Sequence, residues 1–503
     1  MVIAAFVILF AIFPLTDTDI WWHLACAREW VTTWTPVRTP VVNVHEYFQW
    51  AVGFVYGLGG APLLVAFKAI LWGAVFALFL RRRPCHPECH AELANSHLQL
   101  RCLVDMVLGT GISASAIPAR WLFCIAILFV FRFHFELRPV LFSLLFLGIY
   151  WNVLPRLFAN CRLTPVNTIL AILVLAIQWT WCKTQGLYIL GPLFAVLVLA
   201  AGIWNSRRAG DKLSRKALAL RFAFVVALFA MPFLHKEGMN LFLYPFGLLD
   251  RLLGLSPSAS VFASEIAENR SPFTLLMAGE NALECVLMIL LCVAGMGLAI
   301  WRLYKARRPD VLNISLLVTA ILALVAERNF VLFLPVLLAM FPDFSKRSKL
   351  ATSFHIPHYT LALVLLAFIL GLWARSLSAY DYSMVAYQRV PVDAAGWMLK
   401  HPHTGKLFND DRAGGYLALM NPADSIYIDG RFILKTADFF ERYLNYAKDP
   451  ALFMHDADSL GVDRALFPLQ YYARWDTLMQ ALQQDSRWHL AYRDEYFAVF
   501  DKF

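Results

Sequence analysis

The sequence is poor in charge and lacks the signatures of soluble nucleotide-binding or hydrolytic enzymes. Only 16% of its 503 residues are charged and 60% are hydrophobic, whereas soluble domains average about 25% and about 45–50%. Gly414-Gly415 lacks the third glycine and the spacing of a phosphate-binding loop, so we expect no nucleotide cofactor. No Gly-x-Ser-x-Gly element is present, which argues against a hydrolase triad. The composition indicates a polytopic membrane protein with room for one extramembrane domain.

Cysteine is scattered rather than patterned. Nine cysteines occur, and none lies in the last 124 residues, so no disulfide framework supports that part of the chain. A Cys/His group between positions 85 and 102 has Cys-x3-Cys and His-x3-His spacings that match no specific zinc signature. We interpret this group as structural or accidental.

Apolar runs predict about eleven membrane-spanning helices. Several runs are shorter than the roughly 20 residues that a span prefers, which is typical of tilted or broken helices. The segment 101–118 is rich in Gly and Ser, and we interpret it as interfacial or re-entrant. The predicted spans are 2–15, 60–80, 121–135, 139–154, 166–182, 187–204, 217–234, 282–303, 312–326, 329–342 and 359–378.

Basic loops predict the orientation. The clusters at 81–83, 207–216, 305–308 and 346–349 should be cytoplasmic, and with eleven spans all four fall on one side. The N-terminus is then cytoplasmic and the C-terminus lies outside. Residues 380–503 carry 13 basic against 17 acidic side chains, so the basic excess lies in the loops before them and does not predict nucleic-acid binding.

The C-terminal part changes character. Residues 1–379 are predicted to form the membrane domain, with a first outer loop at 16–59, and residues 380–503 an extracytoplasmic α/β domain. Predicted helices lie at 392–401, 414–420, 437–447 and 475–484, and predicted strands at 406–409, 425–429, 464–467, 488–493 and 497–500.

The stretch that begins at Asp17 concentrates the candidate chemistry. Asp17 and Asp19 follow the first apolar run, and carboxylates at the mouth of a span are costly unless they are paired or functional. One of them could serve as a general base, the pair could hold Mg or Mn, or either could cap the next helix. His23 can share a helix face with Asp19, as a functional or as a structural residue. Trp22 is typical of an interface anchor or of a sugar-stacking platform.

Cations at the outer ends of other spans could face a phosphate group. Arg138, Lys183 and Arg328 are the candidates, and simple ion pairing or snorkelling is the alternative interpretation for each. Asp429 and Arg431 flank a glycine where a predicted strand ends, a place where ligands gather in α/β sheets and where tight turns also form.

Together these residues resemble the C-type (GT-C) glycosyltransferase superfamily of polytopic enzymes. The likeness rests on an Asp-x-Asp-x-Trp-Trp-His-Leu motif at 17–24, on Arg138-Pro139, on Glu327-Arg328-Asn329, on Gly414-Gly415-Tyr416-Leu417 and on Asp429-Gly430-Arg431. It is closest to bacterial membrane proteins that carry this motif after their first helix. That group has Asn-x-His-Gly where this chain has Lys183-Thr184-Gln185-Gly186. The resemblance implies that Asp17 is the catalytic carboxylate and that Asp19 assists it or binds metal.

We therefore expect a bacterial inner-membrane hexosyl- or pentosyltransferase that uses a polyprenyl-phosphate-linked sugar. Its acceptor would be an extracytoplasmic glycan, lipid or protein, with Asp17 as general base, Asp19 and His23 in support, and Arg328, Arg138 and Lys183 toward the donor phosphate. Trp22, Asp429 and Arg431 would contact the acceptor or join the domains. The alternatives are a flippase for a lipid-linked glycan, which usually shows an internal repeat that is not visible here, and a non-catalytic envelope scaffold.

Overall fold

Helices that could cross a membrane dominate the first part of the chain. A computed structural model describes residues 2–81, 117–159, 164–210, 214–253, 260–340, 357–470 and 473–503. Within these ranges six helices are long and apolar enough to cross a membrane. They are Glu46–Leu80, Pro139–Ala159, Pro165–Cys182, Gly186–Ala209, Arg215–Leu234 and Ala282–Ala306.

About eleven spans were expected, whereas six helices of the described ranges have the length and composition of a span. Four of the other apolar runs form shorter helices, and the first of them gives only Val2–Phe10, because the chain turns before Pro14. The last run lies in the helix Pro357–Ser378. The first outer loop also ends earlier than position 59, since helix Glu46–Leu80 takes up its second half and kinks at Gly59 and Gly60. The Cys/His group, the basic loop at 346–349 and segment 101–118, apart from a helix start at Ile117, lie outside the described residues.

The helices in chain order are α1 Val2–Phe10, α2 Asp19–Arg28, α3 Glu46–Leu80, α4 Ile117–Val130, α5 Pro139–Ala159, α6 Pro165–Cys182, α7 Leu190–Ala209, α8 Arg215–Ala230, α9 Gly238–Leu253, α10 Ser260–Glu265, α11 Pro272–Met277, α12 Ala282–Ala306, α13 Val311–Val325, α14 Phe330–Ala339, α15 Pro357–Ser378, α16 Val392–Lys400, α17 Asp411–Met420, α18 Ala437–Tyr446, α19 Pro450–Leu460 and α20 Asp476–Gln484.

Two of the predicted basic loops lie at one end of the helical bundle. The Arg208 guanidinium donates to the Arg307 carbonyl, and the Asn205 amide donates to the Pro309 carbonyl at 3.2 Å. The ends of α7 and α12 therefore meet, as the positive-inside pattern predicts for loops on the same side.

A four-stranded sheet organises the C-terminal part. Its strands are β1 Lys406–Asn409, β2 Val462–Pro468, β3 Trp488–Arg493 and β4 Phe497–Lys502, in the order β1-β2-β4-β3. The β1/β2 pair is parallel and the other two pairs are antiparallel. The hydrophobic core of the helical bundle continues into this part through Val390, Leu417 and Leu466, so the two parts pack together.

The predicted strand at 425–429 is wrong. Its Ile426 pairs only in an isolated bridge with Thr33, and side chains satisfy the neighbouring backbone groups instead. The Asn409 amide donates to the Ile428 carbonyl at 2.7 Å and its oxygen accepts from the Tyr427 N–H at 2.8 Å. The first outer loop supplies further bonds, so this segment follows that loop rather than the sheet. Helix α19 was not predicted, although Asp449 caps its first turn and Pro450 begins it.

We expect Asn409→Ala to loosen the junction between β1 and the segment at 427–428. It leaves a buried N–H and a buried carbonyl without these partners, which costs about 1–3 kcal/mol per group. Thermal unfolding of the purified protein, followed by tryptophan fluorescence, should show a lower midpoint. Asn421→Ala is the control, because in the described chain the Asn421 side chain makes no hydrogen bond. Equal midpoints for the two variants would contradict the prediction.

Candidate functional site

Asp17 is held by a bidentate ion pair with Arg138. Asp17 lies between α1 and α2 with 7% of its surface exposed. The Arg138 Nε lies 2.9 Å from Asp17 Oδ2, and Arg138 Nη2 lies 3.0 Å from Asp17 Oδ1. Because Arg138 immediately precedes α5, the start of that helix fixes its backbone. The structure thus brings together two residues that are 121 positions apart.

The same guanidinium also binds Glu268, in the 3-10 turn Ala267–Asn269. Arg138 Nη1 and Nη2 donate to the two Glu268 oxygens at 2.5 and 2.6 Å. Burial alone would raise the pKa of Glu268, but the charge and hydrogen bonds of Arg138 outweigh it and lower that pKa to about 2. Sequence reasoning missed Glu268, because no spacing marks a single glutamate in the stretch between α10 and α11.

Of the two aspartates, Asp17 and Asp19, Asp19 has the higher proton affinity. Burial, and then the negative charge of Asp17, raise the pKa of Asp19 well above its ordinary value, although Arg138 opposes them. No cation of the described residues lies within ion-pair distance of Asp19. Its carboxylate lies against Gly430, where an added Cβ would come within 1.9 Å of Asp19 Oδ1.

Arg328 lies near Arg138 and Glu268, and its guanidinium has no hydrogen-bond or ion-pair partner among the described residues. It belongs to the half-buried turn Glu327–Asn329 and interacts electrostatically with Glu268 and Arg138. Within the described part of the chain its side chain makes neither a hydrogen bond nor an ion pair. A half-buried arginine in this state is available to an anionic group of a ligand.

His23 faces aromatic rings rather than the carboxylates. It is 2% exposed, and its ring centroid lies 3.5 Å from that of Trp22, 5.2 Å from His45 and 4.7 Å from Phe48. Burial, followed by the nearby His45, lowers the pKa of His23 well below its ordinary value, so the imidazole is neutral. In the described structure His23 makes neither a hydrogen bond nor an ion pair with Asp19, the residue with which it was predicted to share a helix face.

Lys183 belongs to a separate ion cluster. Its ammonium group lies 2.9 Å from Glu46 and 2.6 Å from Glu237, and the side chain is almost fully buried. Two carboxylates already neutralise this cation. The structure does not bring Lys183 into contact with Asp17, Asp19 or Arg328.

Trp22, Asp429 and Arg431 meet where the first outer loop contacts the C-terminal part. Arg431 forms hydrogen bonds with both Asp429 oxygens and lies over the Trp22 ring at 5.5 Å. The sequence suggested acceptor binding or domain contact for these residues, and in the structure they lie between the first outer loop and the C-terminal part.

Metal binding was an expectation for Asp19. The described residues contain no group of three His, Cys, Asp or Glu side chains placed to hold a metal ion. Asp17 and Glu268 share Arg138, and a cation would have to compete with that guanidinium. These donors do not fit a metal as arranged, and we derive no step through one.

Comparison with solved structures reveals a shared fold. The apo oligosaccharyltransferase of Archaeoglobus fulgidus matches with a TM-score of 0.51 and 13% sequence identity, over 94% of this chain and 71% of that one. The oligosaccharyltransferase AglB of the same organism, in complex with an inhibitory peptide and a dolichol-phosphate, matches with a TM-score of 0.50 at 12% identity, over 92% and 68%. A complex of the oligosaccharyltransferase with Zn and sulfate matches with a TM-score of 0.50 at 13% identity, over 92% and 67%.

At these identities the likeness concerns the fold alone. It agrees with the expected architecture of a helical membrane part followed by a smaller C-terminal part. No protein-family model matches the sequence, and no curated protein sequence matches it either.

We expect Arg138→Gln to destabilise the protein in a pH-dependent way. Without Arg138, three clustered carboxylates lose their shared cation and their pKa values rise in the folded state. Groups with raised pKa values favour the folded state at low pH and lose that contribution as pH rises. The deficit in thermal midpoint against the wild type should therefore be larger at pH 7 than at pH 5.

Arg270→Gln is the matched control, because Arg270 lies two positions after Glu268 and pairs with another carboxylate, Glu280. Its deficit should depend little on pH between these values. A deficit of Arg138→Gln that is the same at pH 5 and pH 7 would contradict the proposed carboxylate clustering.

Proposed function

We propose that the protein is a membrane glycosyltransferase of the GT-C type, which transfers a sugar from a polyprenyl-phosphate-linked donor to an extracytoplasmic acceptor. The observation that carries the proposal is the placement of Asp19, a carboxylate with a raised pKa, in one cluster with the uncommitted guanidinium of Arg328. The fold supports it, since structural neighbours are oligosaccharyltransferases, and one of them was solved with a dolichol-phosphate.

The proposed reaction assigns a separate task to each charge. An acceptor hydroxyl loses its proton to a carboxylate and attacks the anomeric carbon, while the bond from that carbon to the phosphate oxygen breaks. Polyprenyl phosphate leaves with the electron pair, and Arg328 offsets its charge. Nothing in this scheme specifies a hexose or a pentose, or the chemical class of the acceptor.

The sequence favoured Asp17 as the general base, and the hydrogen bonds of the site favour Asp19 instead. Asp17 is engaged by two hydrogen bonds from Arg138, which lowers the availability of its lone pairs. Asp19 has no such ion pair, and burial beside Asp17 increases its proton affinity. Asp17 then orients the loop through Arg138, and the neutral His23 supports α2 by packing.

The contact between the first loop and the C-terminal part supports a shared location for both. We place that side of the molecule outside the cytoplasm of a bacterial inner membrane and the joined basic loops inside, with the N-terminus cytoplasmic. Residues 1–379 and 380–503 are the two proposed domains.

We expect Asp19→Asn to reduce kcat by roughly 10²–10⁴, the contribution typical of a general base. Asp17→Asn should retain more activity, and its kcat–pH profile should rise at lower pH than that of the wild type. The reason is that removal of the Asp17 charge lowers the pKa of Asp19, and the base must be deprotonated to act. If Asp17→Asn is inactive and Asp19→Asn is active, the base is Asp17.

We expect wild-type protein to co-purify with a polyprenyl phosphate or its sugar-loaded form, detected by lipid mass spectrometry. Arg328→Ala should reduce this enrichment, because it removes the cation that faces the phosphate. Arg375→Ala is the control, since Arg375 is an exposed arginine in the last turn of α15. Only bulk phospholipid in all three samples, at matched purity, would contradict a lipid-linked donor and favour a scaffold.

A further inference from the structure

The first outer loop follows one segment of the C-terminal part. The Trp34 N–H donates to the Ile426 carbonyl at 3.1 Å, and the Thr35 hydroxyl donates to the Tyr427 carbonyl at 2.5 Å. Further along, the Arg38 N–H donates to the Leu434 carbonyl at 2.8 Å. The loop and the segment 426–434 therefore satisfy each other's backbone groups.

A buried ion pair anchors α2 to this segment. Arg431 and Asp429 are 6% and 2% exposed, and three charge-assisted hydrogen bonds of 2.5–3.0 Å join their side chains. Arg431 also donates to the Val31 carbonyl at 2.9 Å and contacts the Cys26 sulfur at 3.6 Å. Its guanidinium lies over the Trp30 ring at 4.9 Å. One side chain thus connects the C-terminal part to the end of α2 and to the residues after it.

The residue between these two ions contacts the candidate base. A Cβ at Gly430 would lie 1.9 Å from Asp19 Oδ1 and 3.5 Å from the Trp22 indole nitrogen. Glycine is required here by the close approach of the carboxylate. The start of α2 therefore contacts the Gly430 backbone through Asp19, and its end contacts Arg431 through Cys26.

We propose that Asp429, Gly430 and Arg431 are positioning residues that hold the Asp19 carboxylate in place. The site then requires the C-terminal part, which forms one of its sides. The catalytic meaning of this proposal rests on the proposed function, but the positioning itself can be measured without any activity.

The first experiment measures the alkylation rate of Cys26 by N-ethylmaleimide in the purified full-length protein. Mass spectrometry of the peptide that contains Cys26 separates it from the other cysteines. In Arg431→Lys the positive charge beside the thiol remains, but the bidentate contact with Asp429 is lost. We expect alkylation to accelerate roughly tenfold, because the loss of a charge-assisted hydrogen bond shifts an opening equilibrium by about that factor.

Arg464→Lys is the matched control. Arg464 also forms a buried bidentate pair, with Asp501 at 2.6 Å, lies over the Trp397 ring at 5.2 Å and donates to the His401 carbonyl. All these partners belong to the C-terminal part, so this variant should leave the Cys26 rate unchanged. Equal rates for wild type, Arg431→Lys and Arg464→Lys would overturn the proposal.

The second experiment uses Gly430→Ala, and it also carries the test if Arg431→Lys does not fold. The added methyl group displaces Asp19 and the start of α2, so Cys26 alkylation should accelerate here too. Where transfer can be assayed, kcat should fall at least tenfold while the KM for the donor changes little, because Arg328 is untouched. Gly396→Ala is the control, since a Cβ at Gly396 meets nothing within 4 Å.

The outcomes separate the two proposals. If no variant or wild type transfers sugar but the Cys26 contrast holds, the proposed function fails and the positioning stands. If transfer is measurable and Gly430→Ala matches Gly396→Ala in kcat, KM and Cys26 rate, the positioning fails and the function stands.

Discussion

The arginine shared by Asp17 and Glu268 is the interaction on which the site depends. It joins a loop, the start of a helix and a turn that lie 121 and 130 residues apart in sequence. Removing one partner of a buried ion pair typically costs about 3–5 kcal/mol, although the half-exposed Glu268 lowers what applies here. Because Arg138 sits at the beginning of α5, the orientation of that helix decides where both carboxylates lie.

The charge of the cluster explains why its two aspartates differ. Arg138 interacts with Asp17, Asp19 and Glu268, and Arg328 interacts with Glu268. Arg138 is committed to Asp17 and Glu268, so Asp19 has no such ion pair, and burial followed by the negative charge of Asp17 raises its pKa well above the ordinary value. No carboxylate of the described residues lies within ion-pair distance of Arg328, although Glu268 acts on it electrostatically. The cluster thus combines a carboxylate of raised proton affinity with a cation that could receive an anion.

Much of the architecture could be predicted from the sequence, because local patterns encode it. The six long apolar helices coincide with predicted runs, and four of the five predicted strands form the sheet. The segment 425–429 failed because its Ser-Ile-Tyr-Ile-Asp pattern suits a strand, while the Asn409 side chain and the first loop take its hydrogen bonds. Pairing of this kind depends on tertiary contacts that alternation does not encode.

The candidate site shows the same division. Asp17 and Asp19 could be found because carboxylates after an apolar run are unusual, and Arg138 because it begins a span. Glu268 could not be found, since only folding brings it to Arg138. Lys183 looked equivalent to the other outer cations, yet Glu46 and Glu237 neutralise it, and sequence position alone does not reveal such partners.

The first loop depends on the C-terminal part for its conformation. Between α2 and α3 the described loop contains no helix or strand, and several of its backbone groups bond to residues 426–435. A change in that segment should therefore reshape the loop that follows α2, the helix that begins at Asp19. Folds of one architecture host different chemistries through such sites. In this protein a short stretch of the C-terminal part contacts the loop after α2, while the pairing of Arg138 with Asp17 and Glu268 involves none of its residues.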